Sequence, residues 1–587
     1  MRRLWPAILA VYLVLAVGYA LVQPLGEAPD EADHYAYARY LALERALPVG
    51  PTVTQGKHPP LYHGLVALLA GWTGMDFDFL RSNPDAFPPG PDKPPNFFVH
   101  TTLEDFPWRD GALAMRIGRF LSVVLGAVTL WATWRLAGEV FPEQPAVAAL
   151  AAGFLAGLPG FLYIAGAMNN DNAAGALGGL ALFLMVGSVR QGFGPGRAAV
   201  LGVVFGLGLL AKVGTLALWP LAALAVVGEA WARGAGFRAW RRWAPRAAAH
   251  LALAWGLGLL IAAPWLLRNH LLYGDPFGWA LVRATVDQRT APLGPADLVW
   301  LARGVFGYFW GRFGAIGQVR LPAWAYRAAL GFSLFVLVGI VLALRRRPPT
   351  DRGQAVGLLM VGLAPVLSWV GLVQYSTIAL GTDQARLLWP AVAAIAVGFG
   401  LGLWGWLDGL PSPLRRAAVP GVIGLMALYG LSALTLVLWP AFAPPPSPDF
   451  PAVAELQPQI VFGGRLQLMR TELPETPLTV GEPLPLRLTW QALTPLDEDL
   501  RVVVRLVHQD GWLAAEWDHS PALGRYPTDR WRPGEPVADP YWLTPNPPAA
   551  GTFTVLVGVR PFRGDWLPVE PAGETAPFAI VGRVGYR

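Results

Sequence analysis

LWPAILAVYLVLAVGYALV (4–22) runs for a bilayer's thickness without a charge, and QPLGEAPDEADHYAYARYLALERALPVG (23–50) follows at once. A membrane-crossing helix needs about 20 mostly apolar residues, so the first stretch reads as a span. The second sets Asp30, Glu31, Asp33 and His34 within a few residues of hydrocarbon. Charge there is costly to desolvate and calls for a reason. The basic start, Arg2 and Arg3, also fits a secretory signal, but the apolar run is long for one. An uncleaved first span is expected.

Working outward, similar windows lie at 112–137, 146–167, 172–189, 198–211, 213–231, 247–267, 328–344, 353–373, 387–407 and 417–439, eleven in all. The chain is 54% hydrophobic and 14% charged, against roughly 25% charged in soluble domains. It has no cysteine, which excludes disulfides, thiolate chemistry and cysteine-held zinc. From Pro445 onward there are 17 acidic and 12 basic residues, a balance of −5 that leaves +11 of the net +6 on the membrane part. That excess reads as loop charge and anionic-lipid contact, not as nucleic-acid binding.

Arginines orient the spans. Arg2 and Arg3, Arg190 and Arg197, RGAGFRAWRRWAPR (233–246), RRRPP (345–349) and Arg415 with Arg416 share one side if eleven spans alternate. By the positive-inside rule that side is cytoplasmic. The expectation is a multi-pass protein of the cytoplasmic membrane, its N-terminus inside, with Asp30 and everything after Trp439 outside. Residues 1–440 form the all-α polytopic domain, with a large first external loop (24–111). Within that loop HPPLYHGLVALLAGW (58–72) is too short to cross and suits the interface. RSNPDAFPPGPDKPPNFF (81–98) reads as extended loop, and the proline-rich 441–451 as a linker. From 452 the periodicity changes to two, in LPLRLTW, LRVVVRLVHQ and TFTVLVGVR, predicting an extracytoplasmic β-sandwich of some eight strands over 452–587. Its EWDHSPALGRYPTDRWRPGEPVADPYW (516–542) suits either sugar binding or ordinary sandwich packing.

The polar residues at the outer span ends are the candidates for chemistry. Asp30, with Glu31 beside it, can act as general base, or hold a divalent cation (magnesium or manganese) with help from His34. Asp33 suits helix capping. Lys57 and His58 stand before a Pro-Pro turn, as interfacial anchor or as part of a site. Asn170 and Asp171 end the third span, and a second carboxylate opposite Asp30 would suit a metal or an acceptor hydroxyl. Lys212 divides two apolar runs where it can meet a lipid phosphate. Arg268 with Asp275, and Asp383 with Arg386, complete a ring of outer polar residues. The loop 268–327 carries seven arginines against three aspartates, matching either phosphate or an interfacial segment.

Six motifs, PDEADH, HPPLYH, NND, LLAKVGTLALWP, RNHLLYGDP and QARLLWP, follow in order over about the first 390 residues. Together they resemble the polytopic C-fold (GT-C) glycosyltransferases, in particular relatives of the dolichyl-phosphate-mannose protein mannosyltransferases. FWGRFGAIGQVRLPAWAY (309–326) also resembles a stretch of some bacterial members. The resemblance implies transfer of a sugar from a polyprenyl-phosphate donor to a glycan, lipid or protein acceptor on the outer face. It puts the catalytic or metal-binding acid at Asp30 and donor-phosphate contacts at Lys212, Arg268 and Arg386. His58 and His63 depart from the usual pattern, so neither donor nor acceptor carries over. A transporter or flippase of lipid-linked sugars is the alternative, though it would favour internal repeats, which this sequence lacks.

Overall fold

The computed structural model describes residues 2–88, 90, 93–234, 240–446 and 460–587. Two compact units emerge: Met1–Gln23, Ala28–Met75 and Leu113–Pro440 form one, and Pro24–Glu27, Asp76–Ala112 and Ala441–Arg587 the other.

The first unit is helical. Among the described residues nine helices are long and apolar enough to cross a membrane, and a tenth arises if Pro145–Ala156 and Pro159–Ala165, bent by 64°, count together. Their outward faces carry Leu260, Leu425 and Leu436, each largely exposed, where a helix in water would be polar. This is a multi-pass membrane protein. The eleven expected windows lie on these nine helices, on the bent pair and on Pro195–Ala211. Pro195–Ala211, only 17 residues long, still runs the length of Asp171–Gln191: Arg197 bonds the Gly187 carbonyl near one end and Lys212 pairs with Asp171 at the other. The backbone then extends at Lys212 (φ −161°, ψ 132°) before a 3₁₀ turn, Val213–Leu218.

Small residues set the packing. A Cβ on Gly339 would stand 2.0 Å from the Gly402 carbonyl oxygen, and one on Gly405 1.9 Å from that of Gly339. Ala323–Arg346 and Val392–Leu407 therefore meet backbone to backbone. At the 64° bend, a Cβ on Gly160 would meet the Tyr308 carbonyl oxygen at 2.2 Å. That glycine lets the end of Pro295–Gly311 settle on the bend. Two shorter helices follow the first span, Glu31–Glu44 and Leu61–Ala70. In the second Leu68 is exposed, as is Trp72 in the turn just after it.

The second unit is a sandwich of nine described strands. One sheet runs Pro536–Leu543, Leu484–Ala492, Leu466–Glu472, Ile460–Phe462, Val569–Glu570, and the other Ala579–Tyr586, Gly551–Pro561, Leu500–His508, Leu513–His519, in those orders. Alternating inward residues build one core around Trp490, Leu500, Val504, Phe553 and Val557.

The first-loop boundary is corrected. Residues 81–82 and 98–99 pair as a short antiparallel ladder, and the segment between them belongs to the sandwich unit. Asn83 Nδ2 donates to the Leu523 carbonyl at 3.0 Å and Asn96 Nδ2 to that of Gly524 at 2.9 Å. Arg530 grips the His100 and Thr101 carbonyls at 2.6 and 2.7 Å. Side chains from far along the chain satisfy this loop, which its own proline-rich composition cannot disclose. Of the expected linker and the start of the sandwich, residues 447–459 lie outside those described.

Candidate active site

Asp30 precedes the helix Glu31–Glu44 in the left-handed region, φ 60° and ψ 10°. A non-glycine residue there is strained, although Asp tolerates it better than most. Its neighbours hold it. Glu31 is fully buried and forked onto Arg119, Oε1 accepting from Nε at 2.8 Å and Oε2 from Nη2 at 2.6 Å. Glu31 Oε1 also accepts from the Met168 N–H at 2.8 Å. Arg119 Nη1 donates to the Ala20 and Gln23 carbonyls, at 2.8 and 2.6 Å, satisfying the end of the first span. Asn169 Nδ2 reaches the Pro29 carbonyl at 3.1 Å. Glu31 thus fastens the Asp30 backbone to the turn at 168–172 instead of facing open space.

From that turn comes Asp171, fully buried. Arg386 lies between the two aspartates, donating from Nη2 to Asp30 Oδ2 at 2.5 Å and from Nη1 to Asp171 Oδ2 at 3.0 Å. Its Nε donates to Gln384 Oε1 at 2.6 Å. Lys212 Nζ closes on Asp171 Oδ1 at 2.5 Å. The result is an alternating chain, Asp30, Arg386, Asp171, Lys212, drawn from four segments up to 356 residues apart. The Asp30 carboxylate is 42% exposed, and among the described residues its Oδ1 accepts no hydrogen bond. Burial works to raise this carboxyl, but Arg386, with Lys57 and Lys212 behind it, holds it below the ordinary carboxylate range. At neutral pH it is an anion with one oxygen open.

Lys57 stands close enough to interact with both Asp30 and Asp33. Its Nζ donates to the Thr285 carbonyl at 3.3 Å. Burial pushes its ammonium down, and the two aspartates partly restore it. Behind the chain three imidazoles gather: His34 Nδ1 lies 2.8 Å from His63 Nε2, and the His34 and His58 rings stack at 6.2 Å. Burial depresses all three, His63 to about 3, so they stay neutral.

The expected residues divide accordingly. Asp30, Asp171, Lys212 and Arg386 converge. Asn170 is buried and donates to the Ala211 carbonyl at 3.2 Å, supporting the turn. Asp383 is a near neighbour of Arg386 in sequence but pairs with Arg312 at 3.4 Å. Two expected residues stand apart from the chain. Arg268 does not join the chain; its guanidinium holds the Leu47 and Pro48 carbonyls, the latter at 2.7 Å. Asp275 caps its own turn, accepting from the Phe277 and Trp279 N–H groups, both at 2.9 Å. The sequence reading missed Arg119, although a charge midway along an apolar window is itself a signal.

A magnesium or manganese ion between Asp30 and Asp171 fits poorly, because the Arg386 donors already fill the position between the carboxylates. Among the described residues no three His, Asp or Glu side chains converge as a ligand set.

No protein family and no curated protein sequence matches the chain. Solved structures do resemble it. ArnT from Cupriavidus metallidurans bound to undecaprenyl phosphate is 15% identical with a TM-score of 0.42, over 74% of this chain and 73% of that one. The Archaeoglobus fulgidus oligosaccharyltransferase, in complex with Zn and sulfate, is 15% identical with a TM-score of 0.38, over 73% and 52%. The S. cerevisiae protein O-mannosyltransferase Pmt1-Pmt2 complex bound to the sugar donor is 14% identical with a TM-score of 0.30, over 48% and 34%.

Proposed function

We propose that the chain is a membrane glycosyltransferase that takes a sugar from a polyprenyl-phosphate carrier, with Asp30 as general base. One observation carries the reading: an ionised, half-exposed carboxylate with one free oxygen is held by Arg386 within a charge chain that is otherwise buried.

The chemistry follows from the charges. Asp30 Oδ1 takes the proton of an acceptor hydroxyl as its oxygen attacks the anomeric carbon. The bond from that carbon to the phosphate oxygen breaks, its electron pair leaving on the carrier phosphate. Direct displacement inverts the anomeric centre. The four-membered chain sums to zero charge, and Lys57 adds a positive charge beside it. Lys57, Lys212 and Arg386 are therefore the cations that would stabilise the departing phosphate, and Lys57 replaces Arg268 in that role. The acceptor is a glycan, lipid or protein hydroxyl on the extracytoplasmic face. Arginine placement in the short loops supports that orientation, with the N-terminus in the cytoplasm.

The test uses the full chain in detergent with a panel of undecaprenyl-phosphate sugars and candidate acceptors. Undecaprenyl phosphate is the ligand named for the Cupriavidus metallidurans protein, and its release is the common product whatever the sugar. Release coupled to a product of inverted anomeric configuration, read by NMR, supports the reading. Carrier movement across vesicles with the sugar–phosphate bond intact would replace it with the transporter.

A further inference from the structure

A polar hollow lies within the second unit. It is a cleft of about 580 Å³ between the first-loop segment and the sandwich, walled by residues such as Asp76, Phe106, Arg109, Asp110, Asp499 and Phe562. That volume falls in the range of small-ligand sites, roughly 300–1,000 Å³. Its walls carry six carboxylates and three guanidinium groups.

Part of this charge is structural. Asp105 pairs with Arg530 at 2.9 Å, Asp78 with Arg563 at 3.1 Å, and Asp499 accepts from Ser520 at 2.8 Å. Among the described residues Arg109 and Asp110, both exposed, have no side-chain partner. Phe106 stands 80% exposed on the rim, its ring edge-on to Trp108 at 5.5 Å. Phe562 lies beneath the Arg81 guanidinium, 4.7 Å from its centre. The cleft thus sets the exposed Phe106 ring beside the exposed charges of Arg109 and Asp110. Pyranose rings have that dual character: an apolar face of C–H groups for the aromatic, and hydroxyls for carboxylate and guanidinium.

We propose that this cleft binds a pyranose oligosaccharide, with amino-bearing sugars preferred over neutral ones and acidic sugars rejected by the excess of carboxylates. The site is separate from the Asp30 chain and does not depend on its chemistry.

Binding to the purified full chain is measured by intrinsic tryptophan fluorescence and by microarray, with glucosamine tetrasaccharide, chitotetraose and tetragalacturonate as probes. The expected order is glucosamine tetrasaccharide tightest, chitotetraose weaker, tetragalacturonate absent. Phe106→Ala should weaken binding at least ~10-fold, as removal of an aromatic anchor does, with the melting temperature unchanged. Asp30→Asn should bind as the parent does. Failure of the first two probes to bind at millimolar concentration would overturn the proposal. So would a preference for tetragalacturonate, or unchanged affinity in Phe106→Ala.

Discussion

Each unit contains a cation between two carboxylates, and the two arrangements end differently. In the second unit His519 lies between Asp85, at 2.7 Å from Nδ1, and Asp539, at 3.1 Å from Nε2. Every carboxylate oxygen there is engaged. Asp85 Oδ1 accepts from Trp517 Nε1 at 2.7 Å, and Asp539 accepts from the Tyr541 hydroxyl at 2.5 Å and the Ala522 N–H at 2.9 Å. In the first unit Arg386 bridges Asp30 and Asp171 in the same way, yet one Asp30 oxygen is open and the carboxylate reaches solvent. The closed bridge ties a loop and two sheets together. The open one leaves a base available. Residue type does not distinguish structure from chemistry here; closure does.

The comparison can be broken by removing the cation from a closed bridge. His519→Leu leaves two buried carboxylates facing one another and should cost about 3–5 kcal/mol, the usual penalty for an uncompensated buried charge. Glu31→Gln, which strands Arg119, belongs to the same class. Both would appear as lowered melting temperature and yield of the full chain. A stable His519→Leu protein would refute the closed reading.

Arg386→Lys sharpens it. Lysine keeps the charge but cannot span two carboxylates in one plane, so donor turnover should fall roughly 100-fold, about 2.7 kcal/mol in the barrier. A KM effect alone would limit Arg386 to donor binding.

Acidity offers a third handle. Burial opposes the charged form of His519, but Asp539 and Asp85 lift it to about 9; Glu104 and Glu27 likewise lift His100 to about 9. A raised folded value stabilises fully below the unfolded value, near 6.5, and that stability is lost as pH rises through 9. The second unit should therefore lose on the order of 1–3 kcal/mol for each histidine between pH 6.5 and 9.5. Thermal melts across that window check it, and a flat profile would contradict it. Smallest of all, Arg268→Ala should change stability by about 1 kcal/mol, the scale of the part-buried hydrogen bonds it makes to Leu47 and Pro48, and leave donor turnover unaltered.

How far the sequence discloses this follows from where each signal resides. Apolar length is local, so every span window falls mainly on helix, including the pair Pro145–Ala156 and Pro159–Ala165 that a 64° bend divides. Asp30, Asp171, Lys212 and Arg386 are conspicuous as charges at the ends of apolar runs. Their convergence is not local: Arg386 meets Asp30 across 356 positions. Glu31 looks as reactive as Asp30 until its partner Arg119, 88 residues on, is known. Asp85 is one acid in a proline-rich loop, and its imidazole partner lies 434 residues away. Charge was legible, and pairing was not.

The measurement closest to the central claim compares undecaprenyl phosphate release by the parent chain and by Asp30→Asn, each checked for an unchanged melting temperature. Loss of a positioned general base removes 10²–10⁴-fold of rate, so release by the variant should fall by at least ~100-fold while the fold stays intact. A folded Asp30→Asn protein that releases the carrier at the parental rate would contradict the account.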